Sequence, residues 1–280
     1  MINNPMAEHG TDDGNDDDDD EGAVMGPRVL ATVTLAKTMG ILFLFICFYV
    51  FTALAERRVA PAILTDEIDQ LDFLPLIRCF LYEQLHSNSD FSQLSDSSAS
   101  SDVPLDNLPE FHGRVAVYTS AVATYYAPSD LRGTGGMHCE RIRAVRKWRN
   151  GPPRYDCVYV STDAAAEGMQ GLDIARVRLF FKFSFKGITY PCTLIQWFSH
   201  IMDEPDEDTG MWVVQPDTAP SGAPIWTVIH LDTIVRAAHL IGVYGNGFVP
   251  RDLTFDRSLD IFRAYYVNKY IDHHAFETAY

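Results

Sequence analysis

A chain of 280 residues with 22 Lys and Arg against 38 Asp and Glu carries a net charge of −16, and has room for one well-cored domain plus extensions. That balance excludes a general nucleic-acid binder on composition alone, so any contact with DNA must come from a local concentration of basic residues. The five cysteines, Cys47, Cys79, Cys139, Cys157 and Cys192, form no C-x-x-C pair; this excludes a zinc ribbon or a disulfide framework and suits a reducing compartment.

Residues 1–37 read as an acidic tail. The run from Asp16 to Glu21 is dense, and the first 22 residues hold no Lys or Arg. Like-charge repulsion and low hydrophobicity predict disorder, either as a solubilising tail or as a contact for basic partners such as histones. Residues 38–55 turn apolar without an internal charge. The run predicts an apolar helix at the short end of the roughly 17–25 residues that span a bilayer, with a buried segment as the alternative. The acidic front argues against a cleaved signal peptide. With Arg28 and Lys37 before it and Arg57 and Arg58 after it, orientation stays open.

Residues 56–86 predict a helical segment. Asp72 is placed to cap it, Pro75 is tolerated in the first turn, and Phe73, Ile77, Phe80, Leu81 and Leu85 share one face. The Ser- and Asp-rich residues 87–108 read as a linker, and a folded domain is expected over 109–280. The stretch from Arg114 to Tyr126 suits a strand, with a helical turn after Ser120 as a variant.

The basic residues concentrate next. Arg132, Arg141, Arg143, Arg146, Lys147, Arg149 and Arg154 face only Glu140 in their interval, with Trp148 and Tyr155 interleaved and Gly133, Gly135 and Gly136 loosening the loop. Guanidinium and ammonium groups neutralise phosphates, and aromatic rings stack on unpaired bases. These residues are therefore the candidate nucleic-acid contact. The other reading is a basic loop that docks on acidic surface elsewhere in the chain.

From Ala175 to Phe198 β-branched and aromatic residues dominate, interrupted at Lys186-Gly187, which predicts a hairpin. Phe181, Phe183 and Phe185 alternate with polar residues, so one face of the first arm is buried. The second arm is apolar on both faces, which places it centrally. Further strands are expected at Met211–Val214 and Trp226–Leu231. Between them and the hairpin lies the acidic turn Asp203, Glu204, Asp206, Glu207 and Asp208, a solvated turn by default or a hard-cation site. The spacing of Ile234, Val235, Ala238 and Ile241 predicts a helix over 232–241, with Asp232 and Gly242 as its caps. Leu259, Phe262 and Tyr266 predict another over 258–267. Asp272, His273, His274 and Glu277 have ligand chemistry but no second pair at metal spacing, so packing is the default and no metal or other cofactor is implied. His200, His230 and His239 receive the same reading. No phosphate loop, G-x-S-x-G elbow or HExxH motif occurs.

Several ordered segments carry a family resemblance: Tyr125-Tyr-Ala-Pro-Ser-Asp130, Tyr155-Asp-Cys-Val-Tyr159, Tyr190-Pro-Cys192, Pro205-Asp-Glu-Asp-Thr-Gly-Met-Trp-Val-Val214, Ile229-His-Leu-Asp-Thr-Ile-Val-Arg-Ala-Ala-His-Leu240 and Val267-Asn-Lys-Tyr-Ile-Asp-His-His-Ala-Phe-Glu277. Their series resembles the C-terminal region of fungal Plavaka-type transposases, in the CACTA-like and Kyakuja/Dileera/Zisupton group, over roughly residues 56–280. The resemblance implies a transposon-derived chain. It also implies that the RNase-H-like core, whose carboxylates hold two metal ions in cut-and-paste transposases, lies upstream of the matched region. The expected fold class is α+β: a small antiparallel, barrel-like sheet with packed helices, preceded by the acidic tail and the apolar helix. The expected function is non-catalytic contact with DNA, chromatin or a protein such as the missing core, in the nucleus. A single-pass membrane protein carrying a transposon-derived soluble domain is the alternative.

Overall fold

The computed structural model describes residues 31–36, 57–68, 73–86, 104–129, 135–245 and 248–280. The N-terminal part contributes strand β1 (Ala31–Ala36), β2 (Arg57–Val59), helix α1 (Pro61–Ile68) and α2 (Phe73–His86). Strands β3 (Val115–Tyr118), β4 (Ser120–Tyr126), β5 (Met137–Val145), β6 (Arg154–Tyr155) and β7 (Cys157–Ser161) follow. The centre is β8 (Leu172–Phe185), β9 (Ile188–His200), β10 (Val213–Pro216) and β11 (Trp226–His230). The chain ends with β12 (Ile234–Ala238), β13 (Leu240–Gly242), the single turn α3 (Ser258–Ile261), β14 (Tyr265–Val267) and α4 (His273–Thr278).

β8 and β9 form the predicted hairpin. Its two-residue turn places Lys186 at φ 48° and Gly187 at φ 81°. Positive φ at both central residues marks a type I′ turn, whose twist matches that of the flanking strands. Phe181 and Phe183 are buried on one face as the alternation requires, and Ser184 meets Thr189 at 3.0 Å on the other. β9 has buried residues on both faces, Cys192 and Leu194 as well as Thr193 and Ile195, because it lies inside the sheet.

Every ladder among the described residues is antiparallel. They make a curled, half-barrel sheet rather than a small one: ten strands along β12-β7-β8-β9-β10-β14-β13, with β11 on β9 and β2-β3 on β8. A four-stranded sheet, β1-β4-β5-β6, stands beside it. Ala121, Ala123, Ile142 and Ala144 of the smaller sheet pack with Val158, Val160, Ala175, Val177 and Ile234 of the larger; the alanines let the two approach closely. A second apolar cluster joins Leu64, Phe73, Ile77, Phe80 and Leu81 of the helices to Leu179, Phe181, Phe183 and Leu194. Each such side chain taken from water contributes about 2 kcal/mol. A third gathers Tyr159, Ile174, Phe198, Trp212, Tyr265 and Val267 at the end where the short C-terminal strands close the sheet.

Several expectations are corrected. Ala31–Ala36, at the end of the expected acidic tail, is a strand paired along its length with β4, because Thr-Val-Thr alternation can complete that strand's open side. The chain after Ser120 stays extended. Leu85 is 42% exposed and does not share the buried face of α2. Of the predicted helix over 232–241, a single 3₁₀ turn at Leu231–Thr233 is helical, and β12 and β13 follow it. Adjacent β-branched Ile234 and Val235 favour extension, and β7 supplies the backbone partners, with a bulge at Val235. Over 258–267 the helix lasts one turn, and Tyr265-Tyr-Val267 pairs with β10 and β13. Asp72, residues 1–30 and 38–55, and most of the linker lie outside the described residues. Among those described, no helix is long and apolar enough to cross a membrane.

Candidate nucleic-acid interface

β5 alternates: Ile142 and Ala144 enter the core, and Arg141 and Arg143 point the other way. Beyond Val145 the chain turns back into β6. The turn is closed by Gly151 N–H donating to the Trp148 carbonyl at 2.8 Å and Trp148 N–H donating to Pro152 O at 3.1 Å. Its central residues, Arg149 at φ 50° and Asn150 at φ 62°, both occupy the left-handed region. Asn tolerates that region well; Arg does not, at a cost of roughly 1–2 kcal/mol, and its side chain is thereby aimed at the indole beside it.

Three guanidinium groups surround that indole. Arg143 lies 4.4 Å from the Trp148 ring centroid, and Arg149 and Arg154 each lie 5.3 Å from it. Asp156 holds the group together. It accepts from Arg154 Nε at 2.7 Å and from the Arg143 backbone N–H at 2.9 Å. Burial and the neighbouring Arg154 push the Arg143 guanidinium below its ordinary value. Arg141 donates to Ser120 Oγ at 3.0 Å. Arg146 and Lys147 are exposed and have no carboxylate partner among the described residues.

Of the predicted contact residues, the fold therefore unites Arg143, Trp148, Arg149 and Arg154, sets Arg141 beside them, and leaves Arg146 and Lys147 at the entrance to the turn. Arg132 lies outside the described residues. Among the described members, Arg154 engages a carboxylate, Asp156. That carboxylate was legible as the first acid after the basic run, two residues beyond Arg154.

Asp272, His274 and Asp206, three of the residues with metal-ligand chemistry, make contacts within the protein. Arg236 is 3% exposed and donates to Asp272 in bidentate fashion at 2.7 and 2.8 Å. It also approaches Glu140 at 3.6 Å and donates to His274 Nδ1 at 3.1 Å. Tyr125 is stacked on His274, with centroids 4.4 Å apart, and Arg236 lies 4.7 Å from the Tyr125 ring. Glu140 in turn accepts from the Ala237 backbone N–H, and Asp272 caps α4 by accepting from Ala275 N–H at 2.7 Å. This buried node fastens β5, β12 and the C-terminal helix together. In the acidic turn, Asp206 accepts from Thr209 Oγ1 and N–H, bonds that hold its carboxyl below the usual range. Among the described residues no three His, Cys, Asp or Glu side chains gather to hold a metal ion.

Comparison with family models, curated proteins and solved structures produced no match. The transposase resemblance accordingly rests on the ordered sequence segments alone.

Proposed function

We propose that this chain is a non-catalytic, transposon-derived module that contacts nucleic acid through the loop around Trp148. The observation that carries this reading is the concentration of cations there. Arg141, Arg143, Arg146, Lys147, Arg149 and Arg154 sit on one hairpin; Asp156 is bonded to it, and Glu140 on β5 turns its carboxylate to Ala237 and Arg236. In a chain of net charge −16, such a patch is a local attractor for phosphate against an opposing field. The indole adds a surface on which an unpaired base can stack. The ordered transposase-like segments support descent from a mobile element, and the matched region is the part that lies beyond the catalytic core in that family.

The test is a salt titration of DNA binding. Replacing Arg143, Arg146, Lys147 and Arg149 together by Ala lowers affinity for a single-stranded oligonucleotide and flattens the dependence of log K on log salt by up to about 3, since each lost phosphate contact removes about 0.7. Unchanged affinity and slope in a folded quadruple variant would show that the patch is structural.

A second reading, membrane attachment through residues 38–55, is favoured by the uncharged run from Met39 to Ala55. Nuclear location belongs to the first reading and membrane location to the second.

A further inference from the structure

A cleft of about 420 Å³ is lined by Tyr155, Arg176, Arg178, Gln196, Trp226 and Asp260, among others. Arg176, Gln196 and Trp226 are register partners on β8, β9 and β11, so they stand in a row on one face of the sheet. Arg178 joins them through a bulge. Between Val177 and Leu179 the β8 register shifts, leaving Arg178 without a Cα partner on β9, and such an extra residue re-aims its side chain. Its guanidinium comes to lie 4.4 Å from the Tyr155 ring centroid and 6.0 Å from that of Trp226.

The cleft has unfilled donor capacity. Arg178 Nη2 donates to the Ile68 carbonyl at 3.1 Å, and Arg178 has no carboxylate partner among the described residues. Arg176 donates to Asp260 through both Nη atoms, and the Asp260 side chain is 55% exposed, so an anion entering the cleft competes there with a solvent-facing carboxylate. The Nε atoms of both arginines are buried and have no hydrogen-bond partner. Each of these N–H groups therefore carries a desolvation cost that no protein contact offsets. Asp260 pairs with Arg176, and Asp252, just outside the lining, pairs with Arg257, so Arg178 is the lining guanidinium left without a carboxylate among the described residues. A cationic ligand is disfavoured, because Arg178 lies over the Tyr155 ring at 4.4 Å; at 6.0 Å from Arg178, Trp226 is the more open of the two rings. The volume falls within the roughly 300–1,000 Å³ of small-ligand sites.

We propose that this cleft binds a nucleoside phosphate, free or as the 5′-terminal nucleotide of a single strand. The phosphate sits on Arg176 and Arg178, where planar bidentate groups suit its oxygens, and the base lies against Trp226. The site is separate from the loop: Arg143, Trp148 and Arg149 do not line it.

Calorimetric titration of the full chain tests this with adenosine monophosphate, adenosine, inorganic phosphate, and one oligonucleotide with and without a 5′-phosphate. The monophosphate binds saturably, at least about tenfold tighter than adenosine or inorganic phosphate. Arg178→Gln weakens it at least about tenfold. Trp226→Leu, which keeps both arginines, weakens the monophosphate but not inorganic phosphate. Trp148→Ala leaves monophosphate affinity unchanged while lowering oligonucleotide affinity, so failure of the cleft and failure of the loop are distinguishable. A 5′-phosphorylated strand that binds tighter than the free monophosphate identifies a strand end as the source; the reverse order identifies the free nucleotide. No saturable binding, equal binding of monophosphate and inorganic phosphate, or full affinity in a folded Arg178→Gln protein overturns the proposal. Should that variant fail to fold by circular dichroism, Trp226→Leu decides alone.

Discussion

Arg236 shows what a single buried charge demands. Taken out of water, a guanidinium needs carboxylates and acceptors around it; the two Nη atoms of this one have Asp272, Glu140 and His274, while its buried Nε has no hydrogen-bond partner. Burial works against the Asp272 charge, but hydrogen bonds from Arg236 and from Ala275 N–H outweigh it and hold the carboxyl below its usual value. Asp272→Asn leaves the cation half-matched and costs about 3 kcal/mol, measurable as a lowered denaturation midpoint. Burial, then the charge of Arg236, depresses His274. The folded protein therefore keeps this ring neutral while the unfolded chain, titrating near 6.5, takes up a proton. Stability is fully present above that value and is lost as pH falls through the folded pKa. Glu140 has the opposite sign: burial raises its pKa, so the folded state holds that proton more tightly and partly offsets the loss at lower pH. Thermal melts from about pH 7 to about pH 5 should fall for the native protein, and fall less for His274→Gln, which keeps an acceptor but does not titrate.

Among the elements, the β8–β9 hairpin and α2 are the most local in origin. The turn needs positive φ at Gly187, and a Cβ there meets nothing within 4 Å. Gly187→Ala therefore carries a backbone cost alone, about 1 kcal/mol, with no packing loss, and chemical denaturation should read it directly. Phe73 is completely buried and meets Phe181 edge-on with centroids 5.2 Å apart. Phe73→Ala should cost about 4 kcal/mol by the same measurement. Both elements were legible because their signals lie within a few residues: alternation and a turn pair in one, an apolar stripe in the other. β12 and β14 were not. Ile234, Val235, Ala238 and Ile241 satisfy a helical spacing, and the extended form needs a bulge at Val235; the partners that choose extension, β7 and β10, lie far off in the chain.

At the scale of the whole molecule, charge is divided unevenly. In a chain of net charge −16, the β5–β6 loop is where cations gather along the sequence. Binding through that loop should therefore weaken steeply with added salt. On the proposed reading, a tagged full chain fractionates with nuclear material; recovery in carbonate-resistant membranes would favour the apolar run at 38–55 instead. Two apolar layers on the large sheet, helices in one and the small sheet in the other, support the loop and the cleft. The cleft escaped the sequence because Tyr155, Arg178 and Trp226 belong to three strands and meet only when a bulge turns Arg178 toward them.

By itself the sequence determined the hairpin, the helix α2, the strandedness of the centre and the place where basic residues concentrate, since each depends on the chemistry of neighbours in the chain. The tertiary structure decided that Arg236 is buried, that 234–238 and 265–267 are extended, and that Arg143, Arg149 and Arg154 share one indole. Those outcomes depend on burial and on hydrogen-bond partners contributed by distant strands, which no local pattern encodes.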